Sequence, residues 1–313
     1  MKKSLLALAI AGLAATPMAA QAGAHGTGVT FGGSAGFEIH QLKDQDINLE
    51  LTKMRLNATA AQAAGDGTII GRFEIDLDNN AHAHAGGATG DTEIKDARVT
   101  WKTAGAGTFV GVGYGPSSQH SSLVGMMDQF STGGNNFWDQ VSAAGNVLAW
   151  VPPLPITVVI GIVGDRQGLS TSDDVDATIL RATWKGGPLT VSAGNVAYAN
   201  DESRTGLNVK YDMGATSIAL AYEDTQDDSG VANSEAQVTG LAVKFTSGPN
   251  TFKGAYTMAD SKGGNNVTDG STAIDFEWNY ALSKKVNTFV TINQLNDEAG
   301  DGDAQAVGVN MSF

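Results

Sequence analysis

Two imidazoles stand two residues apart at His82-Ala83-His84, a spacing that lets one extended segment offer two nitrogens to a metal ion. The surrounding Gly/Ala-rich stretch supplies no clear further ligand, so the better reading is a solvated loop, and no metal or cofactor is expected. The run Asp297-Glu298-Ala299-Gly300-Asp301-Gly302-Asp303 resembles an acidic calcium-binding turn but lacks the full ligand register of such loops, and it too reads as solvated. Gly111-Val112-Gly113-Tyr114-Gly115 is rich in glycine, yet no helix follows to cradle a phosphate. Glycine there suits close packing of strands, including a contact between subunits. His25, His40 and His120 fall in or beside loops, and the chain has neither a nucleophile elbow nor a helical metal-binding pair. An enzyme is therefore not expected; a Ser/His/acid site assembled from distant strands is the enzymatic alternative. The charges that do repeat regularly are basic. Lys53, Arg55 and Asn57 alternate with Met54 and Leu56; Arg72, Glu74 and Asp76 alternate with Phe73, Ile75 and Leu77; Asp96, Arg98 and Thr100 alternate with Ala97, Val99 and Trp101. Charges at every second position share one face of a strand, which builds an electric field over a surface.

The elements that carry these residues follow from the same alternation. In the final segment, Val307, Val309, Met311 and Phe313 lie on one face and Gly308, Asn310 and Ser312 on the other. One face suits lipid and the other water. Each unpaired backbone amide in hydrocarbon costs several kcal/mol, so such a strand must belong to a closed barrel. Ile274, Phe276, Trp278, Tyr280 and Leu282 against Asp275, Glu277 and Asn279 repeat the pattern, as do Leu207, Val209 and Tyr211 against Asn208, Lys210 and Asp212. The count is about sixteen segments of about ten residues, the length of a tilted membrane strand. Among them are 28–40, 46–60, 67–78, 92–103, 106–115, 146–151, 176–186, 234–246 and 303–313. Short connections, as at Gly186-Gly187-Pro188 and Ser247-Gly248-Pro249, alternate with mostly longer polar ones, as at 79–91, 116–145 and 297–302. That is the layout of an outer-membrane barrel with both termini at the short-turn rim. Trp184, Tyr211, Tyr222 and Tyr280 fall near strand ends, where an interfacial girdle lies.

Residues 1–22 read as a secretory signal peptide: Met1-Lys2-Lys3, an apolar run from Leu5 to Ala15, and a small-residue cleavage site at Ala20-Gln21-Ala22. Residues 23–313 form the barrel domain. Without Lys2 and Lys3 the chain has 17 Lys and Arg against 33 Asp and Glu, a formal charge of −16. That excess disfavours nucleic acid as a partner. With 40 glycines in 313 residues and no cysteine, an exported fold of this kind is held by sheet closure and not by disulfides. Val147 to Val163 is the one mature stretch apolar enough to suggest a helix, but Pro152, Pro153 and Pro155 at its centre make it two strands and a tight turn.

Signal peptide, amphipathic strands, terminal Phe313 and a single long third connection together resemble the general porins of the Gram-negative outer membrane. The resemblance covers essentially the whole mature chain. It implies an all-β, 16-stranded antiparallel transmembrane β-barrel with the third loop, here 116–145, folded into the lumen. It implies a homotrimer, a bilayer with lipopolysaccharide as surroundings, and an assembly machinery that reads Phe313 as part of its signal. The function implied is a water-filled channel passing small hydrophilic solutes and ions by diffusion. The net charge favours cations; a substrate-selective or anion-selective channel, or a non-conducting structural or adhesive barrel, are the alternatives. Porins of enteric bacteria carry Pro-Glu-Phe-Gly-Gly in the third loop, whereas this chain has only Gly133-Gly134 of it.

In that family a constriction sets opposite charges on facing walls, and a transverse field orients dipolar solutes. The acidic wall here would be Asp128 and Asp139, the only carboxylates of the third loop. The basic wall would be Lys53, Arg55, Arg72 and Arg98, projecting from three consecutive strands. The competing expectation is that these cations pair with neighbours such as Glu74 and Asp96 as ordinary solvated lining.

Overall fold

The computed structural model describes residues 20–21, 28–42, 46–77, 93–114, 146–164, 175–199, 202–227, 235–261, 270–296 and 303–313. Sixteen long strands close into one antiparallel barrel. They are β2 (Gly28–Leu42), β3 (Asn48–Ala64), β4 (Gly67–Asp76), β5 (Glu93–Thr103), β6 (Gly107–Tyr114), β7 (Asn146–Val151), β8 (Thr157–Gly164) and β9 (Ala177–Gly186). The second half comprises β10 (Leu189–Tyr198), β11 (Glu202–Met213), β12 (Thr216–Asp227), β13 (Ala236–Ser247), β14 (Asn250–Ser261), β15 (Ser271–Ala281), β16 (Val286–Leu295) and β17 (Ala304–Ser312). A two-residue β1 (Ala20–Gln21), inside the expected leader, pairs with Val29 and Gly28. The rest of that leader lies outside the described residues, as do the third connection, His25, His82, His84 and His120.

Each strand pairs with its sequence neighbours, and β17 pairs with β2 to complete the circle. Closure leaves no edge, so every stave finds its backbone partners within the sheet. The seam is fixed at its foot by reciprocal bonds: Gly33 N donates to Phe313 O and Phe313 N donates to Gly33 O, both at 3.1 Å. The Phe313 ring covers Gly33 so closely that an added Cβ would lie 2.6 Å from ring carbon Cζ and 2.4 Å from the Arg55 carbonyl oxygen. Gly308 plays the same part higher in β17, where an added Cβ would meet the Phe289 ring at 2.5 Å.

Alternation decides which face each side chain takes. Leu148, Trp150, Ile160, Ile162, Leu180, Leu207, Leu220, Leu241 and Phe276 are exposed on the outside although apolar, while Glu74, Asp76, Asp96, Asp275 and Glu277, turned the other way, are buried. A soluble protein would reverse this arrangement; in a bilayer it is the stable one. Near the short turns the outer face turns aromatic. Trp101 and Phe109 stack at 5.7 Å and Phe109 and Trp150 at 6.3 Å, beside the 104–106 and 152–156 turns. Trp150 Nε1 donates to Ala106 O at 2.8 Å, and Trp278 Nε1 to Asn250 Oδ1 at 3.0 Å. Phe245 and Phe252 stack at 6.5 Å beside Gly248, and the expected Trp184, Tyr211 and Tyr280 are exposed on the same outer face, whereas the likewise exposed Tyr222 is nearer the opposite rim. Indole and phenol rings sit at the boundary between hydrocarbon and water because one end is apolar and the other polar.

The turns explain the register. Gly187 (φ 57°) and Gly248 (φ 56°) each precede proline in a two-residue connection. Only glycine takes that left-handed backbone without strain, and proline fixes the next φ. β3 is longer than its expected span of 46–60, running Asn48–Ala64 because the chain stays paired through Ala60-Ala61-Gln62-Ala63-Ala64 until Gly65 turns it.

Replacing Phe313 by Asp, or Gly33 by Val so that the ring is displaced while Phe313 stays, should lower the amount of folded, heat-modifiable protein in outer-membrane fractions; overpacking at such a site costs about 1–3 kcal/mol. Wild-type levels of both variants on unheated gels would contradict the seam described here.

Candidate functional site

The residues singled out for their repeating charge come together on the inner wall of β3, β4 and β5. Antiparallel pairing sets Arg55 beside Asp76, and Arg72 beside Arg98 and one pleat below Glu74. Arg55 Nε donates to Asp76 Oδ2 at 3.0 Å, and its Nη1 stands 3.7 Å from Glu74 Oε1. Arg72 Nη2 donates to Glu74 Oε2 at 2.7 Å while its Nε lies 3.1 Å from Asp96 Oδ2. Arg98 grips the same carboxylate, Nε to Oδ1 at 2.7 Å and Nη2 to Oδ2 at 2.5 Å. Asp96 Oδ2 is thus held ionically between two guanidiniums without a linear hydrogen bond to either. The pairing expectation is met: the three arginines share three carboxylates.

Pairing does not make this wall electrically plain. The Arg55, Arg72 and Arg98 side chains are 38%, 43% and 31% exposed, whereas those of Glu74, Asp76 and Asp96 are 12%, 4% and 8% exposed. The carboxylates form a layer against the sheet and the guanidiniums a layer over it. A solute in the lumen meets the cationic side first, and guanidinium, planar with five N–H donors, matches carboxylate and phosphate oxygens. The regular ladder that sets Arg72 opposite Arg98 and Glu74 opposite Asp96 brings Asp96 within reach of both guanidiniums, and the register shifts only beyond it, between Glu74 and Ile75. Lys53 sits opposite Gly36 in the β2–β3 ladder; its side chain, and Asp128 and Asp139, lie outside the described residues.

A second polar group, which the sequence indicated only in part, occupies β14 to β16. Glu277 is fully buried, accepts from Lys253 Nζ at 2.5 Å and also binds the Asn279 amide. Asn287 Nδ2 donates to Asn279 Oδ1 at 2.8 Å, and Asn293 donates to Asp275. Asp275, Glu277 and Asn279 were legible as one wet face; Lys253 was not, because its partner comes through cross-strand register. Between these groups the inner wall of β12 to β14 is built of small apolar residues, among them Ala219, Ala221, Ala242, Ala255 and Ala259, all buried.

Among the described residues no group of three or more His, Cys, Asp or Glu could hold an ion. His40 faces Glu38, Nδ1 to Oε1 at 3.6 Å. Asp303, the last of the acidic run, accepts the Leu295 backbone N–H at 2.8 Å and so closes the top of the β16–β17 ladder. Gly111 and Gly113 point outward, where they line an apolar groove of about 510 Å³ with Val99, Leu148 and Ile162.

Among the described residues, Arg72 is the only one of the three arginines that touches carboxylates on two strands, its own and the next. Arg72→Gln should therefore destabilise the barrel by about 1 kcal/mol more than Arg98→Gln after solvent screening, read as a lower thermal unfolding midpoint. Calorimetry in detergent showing equal midpoints would refute the bridging role.

Comparison with known proteins places this architecture. The profile of the Gram-negative porin family matches residues 6–300. No curated protein matches the chain. Among solved structures, OmpT of Vibrio cholerae, described as an outer membrane protein, superimposes with TM-score 0.70 at 14% identity, covering 93% of this chain and 99% of its own. The anion-selective porin from Comamonas acidovorans gives 0.69 at 14% identity over 92% and 100% of the two chains, and Salmonella typhi OmpF in complex with daunomycin 0.67 at 16% over 92% and 98%. At these identities the likeness is one of fold. The family match spans nearly the whole sequence, and this chain belongs to the Gram-negative porin family.

Proposed function

We propose that the protein is an outer-membrane porin, a water-filled channel through which small hydrophilic solutes and ions diffuse passively, exported by its signal peptide and inserted by the outer-membrane assembly machinery. One observation carries this reading: a sheet closed on itself wears its apolar residues outside and its ion pairs inside. A barrel of about eight strands is filled by its own side chains, whereas sixteen leave room for an aqueous path.

The mature excess of sixteen negative charges supports a preference for cations. The opposite preference has its own support, since Arg55, Arg72 and Arg98 shield their carboxylates from the lumen. We assign these three, with Lys53, to the basic side of the constriction and Asp128 and Asp139 to the acidic side, the net charge outweighing the arginines. In a KCl gradient the zero-current potential should have the sign of cation selectivity and shrink between 0.1 M and 1 M salt, as the Debye length falls from about 10 Å to about 3 Å. An anion-selective wild type would overturn the assignment, and Arg72→Ala would then identify the responsible field by restoring cation selectivity.

The protein is further proposed to act as a homotrimer embedded among phospholipid and lipopolysaccharide. Small residues run across the outer face of the first strands in one ladder row, Ala60, Gly71, Val99 and Gly111, and a Cβ added at Gly71 would meet nothing within 4 Å. Small side chains let apolar surfaces of neighbouring subunits approach closely. Crosslinking in native membranes should trap a trimer; bands at monomer mass alone would count against it.

A further inference from the structure

We infer that the channel carries a charge separation along its axis, acidic at the long-loop mouth and basic at the short-turn mouth, and that it therefore passes current better in one direction. The inference rests on the channel reading above and adds a directional property to it.

The strands themselves show the separation. The four residues of each strand nearest the long-loop rim include nine carboxylates (Glu50, Glu74, Asp76, Glu93, Asp96, Glu202, Asp224, Asp227 and Asp260) and two cations, Lys95 and Arg204. Of the nine, Glu74, Asp76 and Asp96 are paired with Arg55, Arg72 and Arg98 and Glu202 with Arg204, and Asp224 and Asp260 share the outer face with Tyr222 and Met258, so the connections carry most of the acidic excess. The four nearest the short-turn rim include five lysines, Lys102, Lys185, Lys210, Lys244 and Lys253, and one carboxylate, Asp212. The connections amplify the contrast. Those joining strands at the long-loop rim contain 18 Asp and Glu against three Lys and Arg; those at the short-turn rim contain Asp66 alone against Lys284 and Lys285.

The lysines face the lumen. Lys102, Lys185, Lys210, Lys244 and Lys253 alternate with Trp101, Trp184, Tyr211, Phe245 and Phe252, all exposed on the outer surface. Lys210 Nζ lies 3.1 Å from Asp212, and Lys253 is bound to Glu277. Lys102, Lys185 and Lys244 have no carboxylate within ion-pair distance among the described residues. Lys244 stands directly opposite Lys253 in the β13–β14 ladder, a like-charge juxtaposition that is unfavourable without a nearby anion. Four of the five lysines thus occupy β9 to β14, across the lumen from the arginines of β3 to β5, and Lys102 lies on β5 itself, nearer the short turn than Arg98. The mouths are separated by the apolar belt, about 25 Å tall, well beyond the Debye length of about 10 Å at 0.1 M salt, so neither field cancels the other.

Such a pore behaves as a bipolar junction. With the loop side positive, cations enter through the acidic mouth and anions through the basic one, and both accumulate between. With the polarity reversed, both are drawn out and the middle is depleted. Any small anion bearing carboxylate or phosphate oxygens also meets its attractive mouth from the short-turn side.

The test is the current–voltage curve of the full-length mature protein in planar bilayers in symmetric KCl. Because the chain has no cysteine, Ser283→Cys in a short turn can be biotinylated and streptavidin used to establish which rim faces which compartment. At 0.1 M KCl the current with the loop side positive should exceed the reverse current roughly twofold, and the ratio should approach unity at 1 M. The pair Lys185→Gln with Lys244→Gln should abolish most of the asymmetry while conductance persists, and the matching Arg pair should keep it. A symmetric wild-type curve, an asymmetry of opposite sign, or full asymmetry in the Gln pair would overturn the inference. Absence of current at either polarity would instead defeat the channel reading on which it rests.

Discussion

Backbone hydrogen bonding in hydrocarbon is the constraint from which the rest of this structure follows. No water is present there to accept a stray amide, so the sheet has to close, and β17 closes it on β2 with Phe313 and Gly33 exchanging their bonds at the foot of the seam. Closure in turn dictates two faces of opposite character. The outer face may bear Leu, Ile, Phe and Trp without penalty, and the inner face is free to carry ions because it encloses water. Mostly longer connections at one rim and turns of two to five residues at the other then give the barrel a direction.

The inner face uses that freedom unevenly. On β3 to β5 arginines lie over buried carboxylates, so a wall almost neutral in sum presents positive charge to whatever passes. Each carboxylate takes guanidinium donors in place of water, which offsets the cost of its burial. On β14 to β16 Glu277 and Asp275 are satisfied by Lys253 and by asparagine amides, a less exposed arrangement that braces the wall. Between them, alanines on β12 to β14 keep the wall thin. Function in such a barrel lies in where charge is placed relative to water.

Much of this was legible because period two is the strongest signal a membrane strand has. The facing of Arg55, Arg72 and Arg98 opposite Leu56, Phe73 and Val99 follows from alternation alone, and so does the proximity of Arg72 to Glu74 and of Arg98 to Asp96, two residues apart on one strand. The turn at Ala64-Gly65-Asp66-Gly67 was legible, but the link between Arg55 and Asp76 follows only when the ladder is carried unbroken from it, and the alanines before that turn carry no facing signal, which is why β3 extends beyond its expected end. The contact of Arg72 with Asp96 was not legible either, because a long connection joins β4 to β5 and leaves the register that sets Arg72 opposite Arg98 open in the sequence. Lys244 and Lys253 were passed over for a related reason: each is a single cation in its strand, and they form a band only when the register sets their strands side by side.

The account depends most on the claim that the charged inner face lines a continuous aqueous path through the membrane. Single-channel recording of the purified protein in a planar bilayer tests it most directly. The account predicts discrete, long-lived conductance steps whose size rises nearly in proportion to KCl concentration, as for ions moving through water. Protein that inserts, shows its β-barrel dichroism and yet produces no steps would contradict it, because the lumen would then be closed.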